Sequence, residues 1–197
     1  VVYDLTGAAG NQAATTGTPA SNATAFDLTR GAGLGANAGA NSINSNGWNT
    51  LASDDYLTFG FSVDAGFFAN LTNITFTGRA SNSGPGSLAI RSSLDGFASD
   101  LHTFSQVGTF DTQVSYDASV LGPLTGAVEF RIFSLNNVSA NGGTVGNTGT
   151  FRIGSTTAGS STLLTVGGSI SAVPEPGSAL VLFGSVIGLA LVRRRRA

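Results

Sequence analysis

The chain has no cysteine and no methionine, a single histidine, His102, and no lysine among its nine basic residues. The missing thiols exclude a disulfide framework, a cysteine-based zinc site and a cysteine nucleophile, and one imidazole excludes a histidine-cluster metal site. Charge is scarce as well: 10% of the 197 residues are charged, against roughly 25% in an average soluble protein. The formal net charge of −2 is too small for charge-driven disorder. Glycine fills much of the gap, with 28 residues, about twice the usual ~7%; serine, threonine and asparagine fill the rest. The length allows one domain, or one domain with an appendage.

The few charges are unevenly placed. Residues 1–173 hold five arginines against ten acids, a net of −5. Such a body has no electrostatic footprint for nucleic acid. The other four arginines, Arg193 to Arg196, form one run directly behind fifteen uncharged residues, Ser178 to Val192. As a helix at ~1.5 Å per residue that run spans roughly 22 Å, short of the ~30 Å hydrocarbon core. Snorkelling arginines on one side, and Ala172, Val173 and the Pro-Gly turn on the other, make up the difference. A buried core helix is the alternative, but four consecutive arginines beyond an apolar span follow the positive-inside pattern. The expectation is one C-terminal transmembrane helix, a cytoplasmic C-terminus anchored by Arg193, Arg194, Arg195 and Arg196, and a body outside the inner membrane. Gly184 and Gly188 have helix-packing spacing, which a glycine-rich chain supplies by composition.

Just before the span stands Val-Pro-Glu-Pro-Gly-Ser, residues 173–178. Pro174 and Pro176 lack backbone N–H groups and keep their neighbours extended, which makes a stiff, accessible peptide. Read alone, it is a proline-rich linker. The order of Pro174-Glu175-Pro176, short apolar helix, arginine cluster and chain end resembles the PEP-CTERM sorting signal of Gram-negative bacteria. The resemblance implies recognition by an exosortase, a membrane-embedded cysteine protease-transpeptidase that removes the tail after export. It implies a body held in the periplasm at the inner membrane, then delivered to the cell surface or extracellular matrix. The chain begins Val-Val-Tyr-Asp-Leu-Thr-Gly without a basic-then-apolar leader, so a signal peptide already removed, or a start within the protein, is expected.

The body, residues 1–171, reads as all-β. In Tyr56–Val63 the apolar Leu57, Phe59, Phe61 and Val63 alternate with Tyr56, Thr58, Gly60 and Ser62, the period of a half-buried strand. Ile74, Phe76 and Gly78 continue that phase, as do Val128, Phe130 and Ile132, with Glu129 and Arg131 outward. Shorter strands are expected at 1–5, 87–92, 107–110, 114–120, 150–153 and 163–170, separated by turn clusters. Eight to ten short strands without an amphipathic helix predict a β-sandwich of jelly-roll kind, with thirteen phenylalanines filling it. Residues 7–49 are expected to be loop-like, with Phe26 and Leu28 marking the clearest strand. The run Ser87–Leu101, a strand ending in Arg-Ser-Ser followed by an Asp-Gly-Phe turn, is similar to a segment of PEP-CTERM ectodomains. That similarity implies a secreted β-sandwich, somewhat like carbohydrate-binding folds.

Chemistry is thin. His102 reads as a surface or capping residue, and no nucleophile elbow surrounds any serine. Glu129 is the lone acid on a good strand, so paired carboxylates for glycoside hydrolysis are not expected; Asp54 and Asp55 read as the end of a loop. Gly33–Ala38 has a lax dinucleotide spacing with no strand before it and no helix after it. Asp95 and Asp100 are a calcium candidate, against an ordinary Asp-Gly turn. For sugar binding, Trp48, flanked by Asn46 and Asn49, and the outward Tyr56 are the candidate rings, against a packing role for Trp48. No enzyme activity and no cofactor are expected. The primary expectation is a structural or interaction protein of the exopolysaccharide matrix or biofilm; a carbohydrate-binding module is the alternative, and a polysaccharide-active enzyme the third.

Overall fold

Alternation of apolar and polar residues builds the longer strands, such as Tyr56–Val63 and Ala127–Ser134. The computed structural model describes residues 1–155, 157 and 160–174. In chain order the strands are β1 (Val2–Asp4), β2 (Ala9–Gly10), β3 (Ala14–Thr15), β4 (Ala23–Arg30), β5 (Gly35–Asn37), β6 (Ser42–Asn46) and β7 (Tyr56–Val63). There follow β8 (Phe67–Ala80), β9 (Ser87–Ser92), β10 (His102–Ser105), β11 (Thr112–Asp117) and β12 (Pro123–Leu124), then β13 (Ala127–Ser134), β14 (Phe151–Gly154) and β15 (Leu163–Ala172). Two 3-10 turns, Ser93–Asp95 and Ala118–Leu121, are the helical elements among the described residues. No helix among the described residues is long and apolar enough to cross a membrane. The expected span at 178–192 lies outside them, as do Glu175, Pro176 and Arg193 to Arg196.

The strands form two sheets. One runs β1-β15-β8-β14-β6-β2, with β11 and β12 also paired to the long β8 and β5 paired to β6. The other runs β10-β9-β13-β7-β4-β3. Pairing is antiparallel throughout except between β2 and β6. Rings from the two sheets meet between them: Tyr3 against Phe59 at 6.3 Å, Phe76 against Phe104 at 5.6 Å, and Phe104 against Phe151 at 6.1 Å. The expected inward phase is observed, with Leu57, Phe59, Phe76, Phe130 and Ile132 fully buried.

Residues 7–49 depart from expectation except at β4, the strand that Phe26 and Leu28 mark. They carry five strands, and Leu28, Leu34, Ile43 and Trp48 belong to the core. Their glycines permit close backbone approach rather than a loop: Gly10 has φ +89°, and a Cβ there would lie 2.3 Å from the Gly39 nitrogen. The one arginine of this segment is held by internal acceptors, as a half-buried charge requires. Arg30 donates to the carbonyls of Gln12 and Asn44 at 2.7 and 2.8 Å and to that of Gly10, tying β4 to the other sheet. Residues 107–110 are not a strand. Gly108, at φ +57°, turns the chain, Phe110 is 73% exposed, and the strand lies earlier, at β10. The strand expected over 114–120 stops at Asp117, whose carboxylate caps the 3-10 turn by accepting the Ser119 N–H at 3.0 Å.

Tyr3 is the polar pin of the core. Its hydroxyl lies 2.8 Å from the Phe26 carbonyl and 2.9 Å from that of Gly60, and accepts the Gly60 N–H at 3.0 Å. Burial, opposed by the Gly60 hydrogen bond and aided by the charge of Asp27, pushes its pKa up to about 12. Because the folded value lies above the unfolded one, this stability is complete below pH 10 and is lost as pH climbs through about 12. Tyr3→Phe strands the Gly60 N–H; it is expected to cost about 1–3 kcal/mol at neutral pH and to reduce the alkaline loss. Denaturant melts of both forms at pH 7 and above pH 10 check this.

Candidate binding cleft

The outer face of the six-stranded sheet carries an unusual row. Arg91 of β9 and Arg131 of β13 stand directly opposite each other, an arrangement that repels unless something compensates. Two carboxylates compensate: Arg131 Nε donates to Glu129 Oε1 and Arg91 Nε to Asp100 Oδ1, each at 2.6 Å. Rings supply the rest. The Arg131 guanidinium carbon lies 4.1 Å from the centre of the Tyr56 ring and 3.9 Å from that of Phe97, and Arg91 lies 5.2 Å from Phe133.

The turn after β9 puts Phe97 there. Gly96 and Phe97 both take left-handed backbone, φ +71° and +65°, uncommon for a bulky residue and typical of a constrained functional turn. The Phe97 N–H donates to the Ser92 carbonyl at 2.8 Å. Asp95 accepts the Ala98 and Ser99 N–H groups at 3.1 and 2.9 Å. Hydrogen bonding from the Ser99 side chain, joined by the turn's backbone N–H groups, holds the Asp95 carboxyl below its usual range against the opposing effect of desolvation.

Opposite stands the turn 51–55, where Leu51 has φ +52°. Asp55 holds it by accepting the Thr50 hydroxyl and the Ala52 N–H, and its second oxygen is buried without a partner. Between turn and sheet lies a cleft of about 420 Å³. Arg91 and Arg131 are fixed by their Nε atoms, while their terminal nitrogens make no hydrogen bond to described residues. Two pinned forks, two rings and balancing acids suit a neutral, hydroxyl-rich ligand: each fork spans two oxygens, and the rings offer apolar faces.

The residues singled out from sequence fall differently. Trp48 is fully buried, its Nε1–H donates to the Ser45 carbonyl at 2.9 Å, and its ring meets Phe151 edge-on at 5.8 Å. It has no free face for a sugar and is a core residue. Tyr56 does not line the cleft; one face of its ring is covered by Arg131, which does. Of the calcium pair, Asp95 accepts N–H groups of its own turn and Asp100 pairs with Arg91. Glu129 serves Arg131 and accepts the Thr58 hydroxyl at 2.8 Å. His102 stacks on Tyr116 at 5.7 Å. Gly35–Asn37 of the lax glycine spacing is strand β5. Phe97, Phe133 and the pairing of the arginines were missed. Outward-phase arginines on two strands were the available signal, but their register was not.

The described residues thus define a two-sheet β-body whose last strand ends at Ala172 and whose Val173 N–H still bonds the Gly66 carbonyl. Residues 172–196 match the PEP-CTERM protein-sorting motif. The chain carries that motif and is thereby marked for export, membrane-anchored sorting and processing by an exosortase. No curated protein matches the chain. Among solved structures, the isomalto-dextranase of Arthrobacter globiformis T6 complexed with panose is similar at 13% identity and TM-score 0.33, over 71% of this chain. The match spans 24% of that enzyme's chain, and at this level neither fold nor function carries across.

Proposed function

We propose that the protein is an exosortase substrate whose jelly-roll-like body serves a structural or interaction role at the cell surface, in an exopolysaccharide or biofilm matrix. Before processing, the segment 178–192 spans the inner membrane, with the body in the periplasm and the arginine cluster in the cytoplasm. The sorting motif at 172–196 carries the export half of this reading. A carbohydrate-binding role for the body is favoured by one observation: the pinned arginine forks and Phe97 lining the 420 Å³ cleft. The reading is of binding without turnover, since Glu129 and Asp100 are each engaged by an arginine at 2.6 Å rather than free for acid–base work.

A glycan array probed with the full chain in detergent tests this. Arg131→Gln and Phe97→Ala are each expected to weaken binding about tenfold, the loss of one charge-assisted contact or stacked ring, with circular dichroism unchanged. Turnover of any bound polysaccharide would replace the binding role with an enzymatic one. Absence of glycan binding would leave the structural role alone.

A further inference from the structure

The body's remaining surface arginines form a second cross-strand pair on the other sheet. Arg79 of β8 and Arg152 of β14 face each other directly in antiparallel register. Arg30 is spent on backbone carbonyls, so the four other body arginines stand in two opposed pairs. An acidic body that gathers its exposed positive charge this way incurs repulsion twice. In the cleft each arginine has its own carboxylate. Here the pair has one between them.

That carboxylate, Asp111, is already in use. One of its oxygens accepts the hydroxyls of Ser155 and Ser160, the latter at 2.7 Å; the other lies 3.6 Å from Arg79 Nη1. Arg152 makes no hydrogen bond or ion pair with any described residue, and its Nε is enclosed without an acceptor. An enclosed unpaired guanidinium donor costs stability. Burial first, then repulsion from Arg79, lowers the Arg152 pKa, with Asp111 opposing. Between the two side chains opens a pocket of about 200 Å³, lined also by Ser81, Thr109 and Thr150. The Ser81 oxygen accepts the Thr150 N–H at 2.9 Å, which leaves its hydroxyl proton available to a further acceptor.

Two guanidiniums, one committed carboxylate and hydroxyl donors around a small pocket leave a net positive charge and unused donors. We propose that the Arg79–Arg152 pocket binds a single oxyanion group, a carboxylate or a sulfate displayed on a larger ligand. Planar forks match either group through paired N–H···O bonds. The pocket lies on the opposite sheet from the cleft and does not depend on a role for that cleft.

The test follows arginine Nε–H resonances of the full chain in detergent at low ionic strength, titrated with sodium glucuronate, sodium sulfate or neutral methyl glucoside. Saturable shifts at Arg79 and Arg152 with either anion, and none with methyl glucoside, are expected. Response to glucuronate alone assigns a carboxylate ligand, and response to sulfate alone a sulfate ester. Arg152→Gln should weaken the saturable response about tenfold or more, and Arg131→Gln should leave it unchanged. Arg152→Gln should also melt no lower than the parent without anion, because the repulsion is gone, while losing the stabilisation that the anion confers. Non-saturating shifts of equal size at all arginines would mean screening only and would overturn the proposal, as would no response to either anion.

Discussion

Replacing Pro174, Glu175 and Pro176 together with alanine should leave the full-length precursor in the inner membrane. The tripeptide lies within the matched motif, and its first residue is exposed two positions beyond the end of β15. Proline lacks the N–H group that a turn or helix needs and disfavours helix in the residue before it, a sequence property suited to a protease groove that takes an extended substrate. The body should fold as before, because β15 ends at Ala172 and, among the described residues, the last backbone bond to the body comes from Val173, donating to the Gly66 carbonyl. The division expected between 171 and 172 falls inside that strand, so a body meant to fold alone is better ended at Pro174. Immunoblots of membrane and surface fractions, with intact masses of what each contains, read the result. Normal processing of the alanine variant would reduce the tripeptide to a spacer.

Truncating Phe59 or Phe130 to alanine should cost about 3–5 kcal/mol, the range for a buried phenylalanine. That is a large share of the ~5–15 kcal/mol that holds a domain together, so either variant is expected at the edge of folding. Both rings are fully buried, opposite each other in register and stacked at 5.7 Å. Their losses should therefore not add in the double variant. One residue out of phase, Arg131 gives a contrast. Its two ring contacts and half-buried ion pair are worth together about 1–2 kcal/mol. Denaturant melts decide between them: losses at Arg131 equal to those at Phe59 would refute the placement of the sheet faces.

The faces themselves were legible because alternation is a local property. Leu57, Phe59 and Phe61, or Val128, Phe130 and Ile132, need only their neighbours to show which side is apolar, and burial follows that phase. Apart from β4, which Phe26 and Leu28 mark, residues 7–49 were not legible for a reason equally physical. Their strands are stabilised by backbone approach at Gly10 and Gly39 and by the reach of Arg30 to three carbonyls, none of which leaves a hydrophobic period. Trp48 looked like a sugar platform among asparagines, yet the edge of Phe151, about a hundred positions later, closes over it.

The sequence by itself determined the sorting signal, the all-β body and the inward residues, since order along the chain and period-two alternation require no knowledge of distant contacts. Tertiary structure alone decided which outward residues meet. Arg131 faces Arg91, and Arg152 faces Arg79, only after the core has chosen the register of strands far apart in the chain. A slip of one residue would send each of these side chains to the opposite face. The binding chemistry proposed for this body therefore depends on pairing, which the packing of Phe59, Phe130, Phe76 and Ile153 sets and which no local pattern records.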